Sequence, residues 1–474
     1  MGRSPAETRS PPHILGAVFE RFVKESPISV MMRAAMENAL SAEALDGLFA
    51  RTAERQYTRE LLFSSLVDLM STVVCRIRAS VHAAYQAVKE TLSVSVTAVY
   101  DKLDGVEPEV SAALVRHVAA QLQPVIEATG GEFAPWLPGY RVRILDGSHL
   151  AATERRLKVL RGSKAGPLPG QSLVVLDPAR MLAIDVIPCE DGHAQERSLT
   201  DEVLGLVQPG DVWIDDRNFC TTRLLFGIAL REAFFITRQH AALPWRPIEA
   251  RCKRGRIDGG TVWEQEVLVW EGDRAGRTLH LRRITVVLAK TTRDGDREIH
   301  VLTNLPKKVV SAQRIAKLYA KRWTVETAFQ EIEATLSGEI ETLGYPKAAL
   351  FAFCTALVAY NILSAVKAAL RAAHGHERVQ NEVSGYYVAD EVRGTFRGMM
   401  IAIPEPHWDV FRTMTAVQLA ATLLALAARV RLSAFRRHPR GPKKPVTPRT
   451  RYVTHTHVST ARLLAASSNR KRSP

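Results

Sequence analysis

The chain has 474 residues, 46% hydrophobic and 24% charged, with a formal net charge of +15. That composition suits a globular chain long enough for two to four domains and excludes a mainly disordered one. The charge is uneven: residues 410–474 hold fourteen Lys and Arg and no Asp or Glu, so the rest of the chain carries an excess of only 1.

Residues 1–12, "MGRSPAETRSPP", are rich in Pro and Ser and are expected to be disordered; they lack the basic-then-apolar layout of a signal peptide. Residues 13–135 read as a helical domain, with apolar residues at three and four spacing in "YTRELLFSSLVDLMSTVV" and "PEVSAALVRHVAAQLQPVI". Within it, "SVHAAYQAVKETLSVSVTAVYDKL" resembles a helix-turn-helix, with helices over 81–90 and 96–103 and Ser95 as N-cap. Such pairs are common in ordinary bundles, so DNA reading is one of two readings, and Lys89, Thr97 and Lys102 are base-reading candidates by position alone.

The texture changes at residue 140. "YRVRILDGSHL", "QSLVVLDP", "MLAIDVIPC", "DVWIDDRNF" and "AFFITRQ" are short apolar runs bounded by Gly, Pro or Asp, which predicts strands. Helices over 197–206 and 221–231 separate the later ones, giving a mixed α/β sheet within 136–375. Residues 245–300 add strand-like runs and Gly-rich turns, as a β insertion would.

"LYAKRWTVETAFQEIEATL", residues 318–336, predicts one helix. Val325, Phe329, Ile332 and Leu336 fall within an arc of about 60°, and Tyr319, Arg322 and Glu326 share the adjoining arc. An i,i+4 ion pair explains Arg322 and Glu326 as well as any site would. "AALFAFCTALVAYNILSAV", 348–366, is uncharged for nineteen residues but is read as a buried helix rather than a membrane span. A helical region over 376–432 follows. The basic segment 433–474 is expected to be disordered and to attract phosphate through counterion release. Five scattered cysteines give neither zinc spacing nor a disulfide framework, which fits a reducing cytoplasm.

Asp146 in "RILDGSHL" and Asp216 in "DVWIDDRNF" each follow apolar strand residues, at the strand ends where sites assemble in such sheets. A carboxylate there is costly unless neutralised, and carboxylate oxygens suit Mg²⁺ or Mn²⁺. Capping of the following turn explains either aspartate alone equally well. Asp215 competes with Asp216 for the second position; strand alternation would turn one of them to the other face.

With Glu326, these residues form an Asp, Asp, Glu set, and here the sequence resembles the DDE transposases of the IS4 type. The resemblance covers most of 140–370 and rests on "LDGSHL", "IDDRNFCT", "VLTNLP" and "YAKRWTVE", the last carrying the family's Tyr, Arg, Glu spacing at Tyr319, Arg322 and Glu326. It implies an RNase H-like catalytic core interrupted by a β insertion before the glutamate helix. It implies that Asp146, Asp216 and Glu326 are the catalytic residues and metal ligands, for two Mg²⁺ or Mn²⁺ ions. Tyr319 and Arg322 would hold DNA phosphate, with Arg217 as a further contact; Arg238 and Lys321 are alternatives. The expected partners are double-stranded DNA, at terminal inverted repeats and target, and a second copy of the chain in a synaptic dimer. The expected setting is the bacterial cytoplasm, nucleoid-associated, with no membrane.

One position departs from the family pattern: the lysine that ends its signature, seven residues after the glutamate, is Glu333 here. A structure-specific nuclease without strand transfer, or an inert DNA-binding regulator, are the alternatives. Trp263, Trp270 and Trp323 are as well explained by packing as by base stacking, and His149 and His193 lack zinc-hydrolase spacing.

Overall fold

The computed structural model describes residues 16–56, 60–150, 157–161, 165–272, 276–292, 295–438 and 457–472. The expectation of disorder for residues 1–12, and for most of the basic tail, lies outside them. Contacts divide the chain into two units. One comprises residues 1–41, 121–132 and 362–438, and the other 42–120, 133–361 and 439–474.

These units cut across the boundaries expected at 135 and 375. The first joins the N-terminal helices to residues 362–438, and its contacts show why. Asn38 Nδ2 donates to the carbonyls of Phe411 and Met414 at 2.8 and 2.9 Å, and Phe19 packs edge-on against Trp408, ring centroids 5.0 Å apart. Buried Glu37 pairs with Arg33 and Arg412. The helical residues 42–120 instead belong with the sheet: Arg76 donates to the carbonyls of Glu333 and Leu336, and Arg116 pairs with Asp185 at 3.1 Å.

The helix pair in this region forms over Val81–Val88 and Val96–Gly105, and Ser95 caps the second by accepting from Ala98 N at 3.2 Å. Lys89 and Thr97 are exposed, but Lys102 lies 4.2 Å above the Phe49 ring. Asp104, at the end of the second helix, has its carboxyl pushed up to about 6 by burial and by Asp101. Its folded value exceeds the unfolded one, so stability from this residue is greatest below pH about 4 and falls as pH rises through about 6. Asp104→Asn should therefore stabilise the protein at pH 8 by about 1 kcal/mol, allowing for solvent screening of a half-exposed group, and by nothing at pH 4. Urea denaturation at both pH values checks this.

The sheet contains β1 (Arg141–Leu150), β3 (Gly170–Asp177), β4 (Leu182–Cys189), β5 (Asp211–Asp215), β6 (Phe234–Arg238), β7 (Trp245–Pro247), β8 (Cys252–Ile257), β9 (Gly260–Trp270), β10 (Thr278–Leu288) and β11 (Glu298–Thr303). Two short strands, β2 (Gly166–Leu168) and β12 (His457–Ser459), pair in parallel elsewhere. The order is β4-β3-β1-β5-β6-β11-β10-β9-β7, with β8 also on β9. β1 pairs antiparallel with β3 and parallel with β5, and β5 pairs parallel with β6. The five expected strands and the helices Thr200–Leu206 and Thr222–Leu230 are all present.

Both faces of this sheet are covered, which is why its central strands read as unbroken apolar runs. Leu145, Trp213 and Phe235 face one way, against Leu224, Leu225 and Val203. Ile144, Val212, Ile214 and Ile236 face the other, against Ile315, Ala316 and Leu318. The expected insertion extends this same sheet, because β11 pairs with β6 and carries β10 and β9 outward. Gly260 opens β9 at φ +153°, and a Cβ there would lie 2.1 Å from the Val287 carbonyl oxygen. Gly260→Ala should cost at least about 1–3 kcal/mol in a denaturant titration through backbone strain alone.

The helix Pro346–His374 is the one described helix long and apolar enough to cross a membrane, and its most apolar stretch is wholly buried in the protein. Its buried Asn361 exchanges two hydrogen bonds of 2.8 Å with the backbone of Ala183 on edge strand β4. A polar group otherwise expensive to bury is thereby satisfied. The tail departs from expectation: His457–Ser459 gains a strand partner in Gly166–Leu168, and a helix, Thr460–Arg472, follows. Arg462 pairs with Asp191 at 2.8 Å. Composition alone does not reveal such tertiary partners.

Candidate active site

Asp146 was expected at a strand end, but β1 runs on to Leu150. What ends near Asp146 is the parallel neighbour: β5 pairs with β1 only as far as Ile144, whereas β3 pairs through Leu150. Asp146 thus sits where one side of the strand opens. Asp216 lies just past β5 and caps the turn Arg217–Phe219, its Oδ1 accepting from Asn218 N at 2.7 Å.

Residues 318–336 are not one helix. The helix Ala312–Ala320 tightens into a 3₁₀ turn over Lys321–Trp323 before the helix Thr324–Thr335 begins. Val325, Ala328 and Ile332 bury the second helix, while Phe329 is only half-buried. The tight turn carries Arg322, which is 9% exposed although its neighbour Trp323 is 62% exposed. Its guanidinium donates to Asp146 Oδ2 at 3.0 Å and to Glu326 Oε1 at 2.8 Å. The i,i+4 pair is therefore present, but it is half of a bridge that reaches a strand 176 residues away in sequence.

Burial pushes the Asp146 carboxyl up to about 6; Arg322 opposes the shift, and repulsion from Asp216 and Glu326 adds to it. The structure thus brings Asp146, Asp216, Glu326 and Arg322 together. Tyr319 joins them electrostatically: burial pushes its hydroxyl up to about 12, with Arg322 and Arg238 opposing and Asp216 and Asp215 adding. Arg217 is exposed on the capping turn, with an electrostatic contact to Asp296. Of the alternatives, Arg238 pairs with Asp296 at 2.8 Å and Lys321 sits 5.0 Å over the Trp136 ring.

Asp215 follows the alternation of β5. Trp213 and Ile214 enter opposite core clusters, so Asp215 turns to the Trp213 face, beside its cross-strand neighbour Thr237. It is fully buried, neither oxygen has a hydrogen-bond partner of ordinary geometry, and burial pushes its carboxyl well above the usual range. Burial thus disfavours its charged form, which makes it a poor metal ligand. Glu333 is exposed, as are His149 and His193.

A group missed in the sequence is Glu196 with Asn218. Asn218 Nδ2 donates to Glu196 Oε2 at 3.2 Å while its backbone N–H serves Asp216. No spacing signals this contact, because Glu196 comes from the turn before the helix Thr200–Leu206.

Asp146 and Glu326 contact the guanidinium and Asp216 acts on it only electrostatically, so three carboxylates against one cation leave about two negative charges that a divalent cation would balance. Their oxygens are the donors a hard cation prefers. Among the described residues no three ligand side chains converge as a metal cage, and Arg322 spans the space between Asp146 and Glu326. The donor set fits such an ion once the guanidinium yields its place.

Part of the chain is similar to known proteins. Residues 137–362 match the family described as the transposase DDE domain. Such domains generally use divalent metal ions. A relative named "Putative transposase y4zB", from Sinorhizobium fredii (strain NBRC 101917 / NGR234), is 31% identical over 160 residues, 33% of this chain and 43% of that protein. The match thus spans less than half of that relative. A solved structure titled as the piggyBac transposase synaptic complex with hairpin DNA aligns over 81% of this chain and 84% of its own at 10% identity. Its TM-score is 0.34.

Proposed function

We propose that the protein is a DNA transposase of the IS4 type, with an RNase H-like core, that cleaves transposon ends and transfers them to target DNA by a cut-and-paste route. The observation that carries this reading is the Arg322 bridge, which draws Asp146 from the first strand and Glu326 from a distant helix to one point. The order β4-β3-β1-β5-β6 around Asp146 and Asp216 supports the core assignment. In this reading the partners are terminal inverted repeats, target DNA and a second copy of the chain. The helix pair over 81–105 reads the ends, and the setting is the bacterial cytoplasm at the nucleoid.

Asp146, Asp216 and Glu326 would hold Mg²⁺ or Mn²⁺, in a two-ion site. Bound there, the ions would activate the attacking oxygen and stabilise charge on the leaving one. Arg322, released from the carboxylates, would turn to the DNA phosphate as a fork of donors, and Tyr319 beside it would offer its hydroxyl, which burial keeps protonated. Asp215, buried and with its charged form disfavoured, supports Asp216 as the ligand of the adjacent pair. With Glu333 exposed where the family has a lysine, phosphate holding falls to Arg322, Tyr319 and Arg217.

The test is cleavage of a labelled DNA fragment carrying the element's own terminal repeat, with Mg²⁺ or with EDTA. Metal-dependent cutting at the repeat boundary followed by joined product supports the reading. Cutting with no joined product under any condition points to a nuclease, and binding without cutting to a regulator.

A further inference from the structure

Charge changes sign along the chain at the turn that carries Arg322. Between Glu298 and Glu326 the sequence holds Lys307, Lys308, Arg314, Lys317, Lys321 and Arg322, and no acid. From Thr324 to Pro346 it holds Glu326, Glu331, Glu333, Glu339 and Glu341, and no Lys or Arg. An ordinary solvated helix face mixes the two signs, because opposite charges at i,i+4 stabilise it and like charges do not. Segregation of the signs on two successive helices is not explained that way.

The helix Ala312–Ala320 buries Ala312, Ile315, Ala316 and Leu318 against the sheet. Arg314 and Lys317 lie on its other face and Lys321 opens the turn that follows; all three are exposed. Their spacing of three and four residues puts them within an arc of about 60°. None of the three has a carboxylate partner among the described residues: Arg314 donates to the Trp136 carbonyl, and Lys321 lies 5.0 Å over the Trp136 ring. Two cations thus gather at one half-buried tryptophan, and burial together with the Arg314 charge holds the Lys321 ammonium below its ordinary range. Like charges held this close repel, and an anion laid over them removes that cost. Gln313 donates to the Arg254 carbonyl, which ties the helix to edge strand β8 and fixes the stripe in place. From Arg314 to Lys321 the chain rises about 10 Å. That is the axial length of about three phosphates on one DNA strand.

From this segregation we propose that Arg314, Lys317 and Lys321 form a rail for the phosphate backbone of duplex DNA, holding the duplex along the helix Ala312–Ala320 and leading it to the Arg322 turn from that side. The helix Thr324–Thr335, which carries Glu331 and Glu333, repels the backbone and so sets the direction of approach. Phosphate contacts carry no base information, so the rail serves any sequence. The inference rests on the proposed function only for the identity of the polyanion as DNA.

The test is fluorescence anisotropy of the full-length protein in EDTA with two duplexes of equal length, one carrying the element's terminal repeat and one unrelated, across a salt series. Wild type is compared with the triple variant Arg314→Gln, Lys317→Gln, Lys321→Gln. We expect the triple variant to bind both duplexes at least about tenfold more weakly at 0.1 M salt, and its slope of log affinity against log salt to flatten by about 2–3. The same loss of three charges at Arg21, Lys24 and Arg429, exposed residues of the other unit, should cost less. Lys317→Arg should bind as wild type. Thermal melting checks that the triple variant folds; if it does not, Lys317→Gln alone should flatten the slope by about 1. A slope and affinity that match wild type, or a loss no larger than that of the other unit's variant, would overturn the rail and leave the transposase reading standing. Loss confined to the terminal-repeat duplex would overturn its indifference to sequence. A wild-type protein that binds neither duplex would overturn both the rail and the transposase reading.

Discussion

Replacing Glu326 with Gln is expected to lower metal-dependent DNA cleavage by at least about 10³-fold, while DNA binding stays within a few fold of wild type. The size follows from losing several kcal/mol of charge stabilisation when one of the three carboxylates proposed to place a cation becomes neutral. The binding half of the expectation follows from where Glu326 sits: it holds Arg322 at 2.8 Å and belongs to the acid set rather than to a basic surface. Removing its charge also frees one arm of the guanidinium that bridges to Asp146. A cleavage assay on a terminal-repeat fragment, with gel-shift binding on the same DNA, separates the two effects. Cleavage that survives in Glu326→Gln would reduce this side chain to half of an ordinary ion pair.

The second large effect is expected far from the carboxylates. Glu264 on β9 and Arg282 on β10 are 2% and 7% exposed, and Glu264 accepts from Arg282 Nε and from Arg254 Nε at 2.7 Å each. Arg282 also donates to the carbonyls of Leu305 and Val310, which lie in the segment leading to the helix Ala312–Ala320. Glu264→Ala should destabilise the protein by about 3–5 kcal/mol, because it leaves a buried guanidinium without its counter-charge. Substituting Glu264, Arg282 and Arg254 together with apolar residues of similar size should cost less, since no charge is then stranded. Urea denaturation of the single and triple variants measures both. Because Arg282 anchors the approach to the 3₁₀ turn that carries Arg322, a folded Glu264→Ala protein should also cleave DNA more slowly.

Much of the site was legible in the sequence because local rules govern its parts. The runs ending in Asp146 and Asp216 had to be strands, since Val, Ile and Leu packed without polar alternation suit a sheet covered on both faces. The alternation that turns Asp215 away from Asp216 has a period of two and needs no tertiary information. Ser95 as an N-cap and the helices flanking β5 followed from equally local chemistry. The resemblance added the grouping of Asp146, Asp216 and Glu326, which no spacing rule could have supplied across gaps of 70 and 110 residues.

Tertiary structure decided what depends on partners distant in the chain. The break at Lys321–Trp323 was invisible to helical periodicity, and it occurs where Arg322 is drawn to Asp146, whose position the helix does not encode. Glu196 meets Asn218 only in the folded chain, and nothing in the local pattern around Glu196 signals that contact. The basic tail's composition argued against structure, but the backbone of Gly166–Leu168 offers His457–Ser459 a strand partner. The grouping of residues 16–41 with 362–438 depends likewise on Asn38 meeting the carbonyls of Phe411 and Met414. Sequence determined the elements and the chemistry of their side chains, because those follow from interactions within a few residues. The folded chain decided which side chains share a hydrogen bond or a charge, because that energy depends on distance in space and not along the chain.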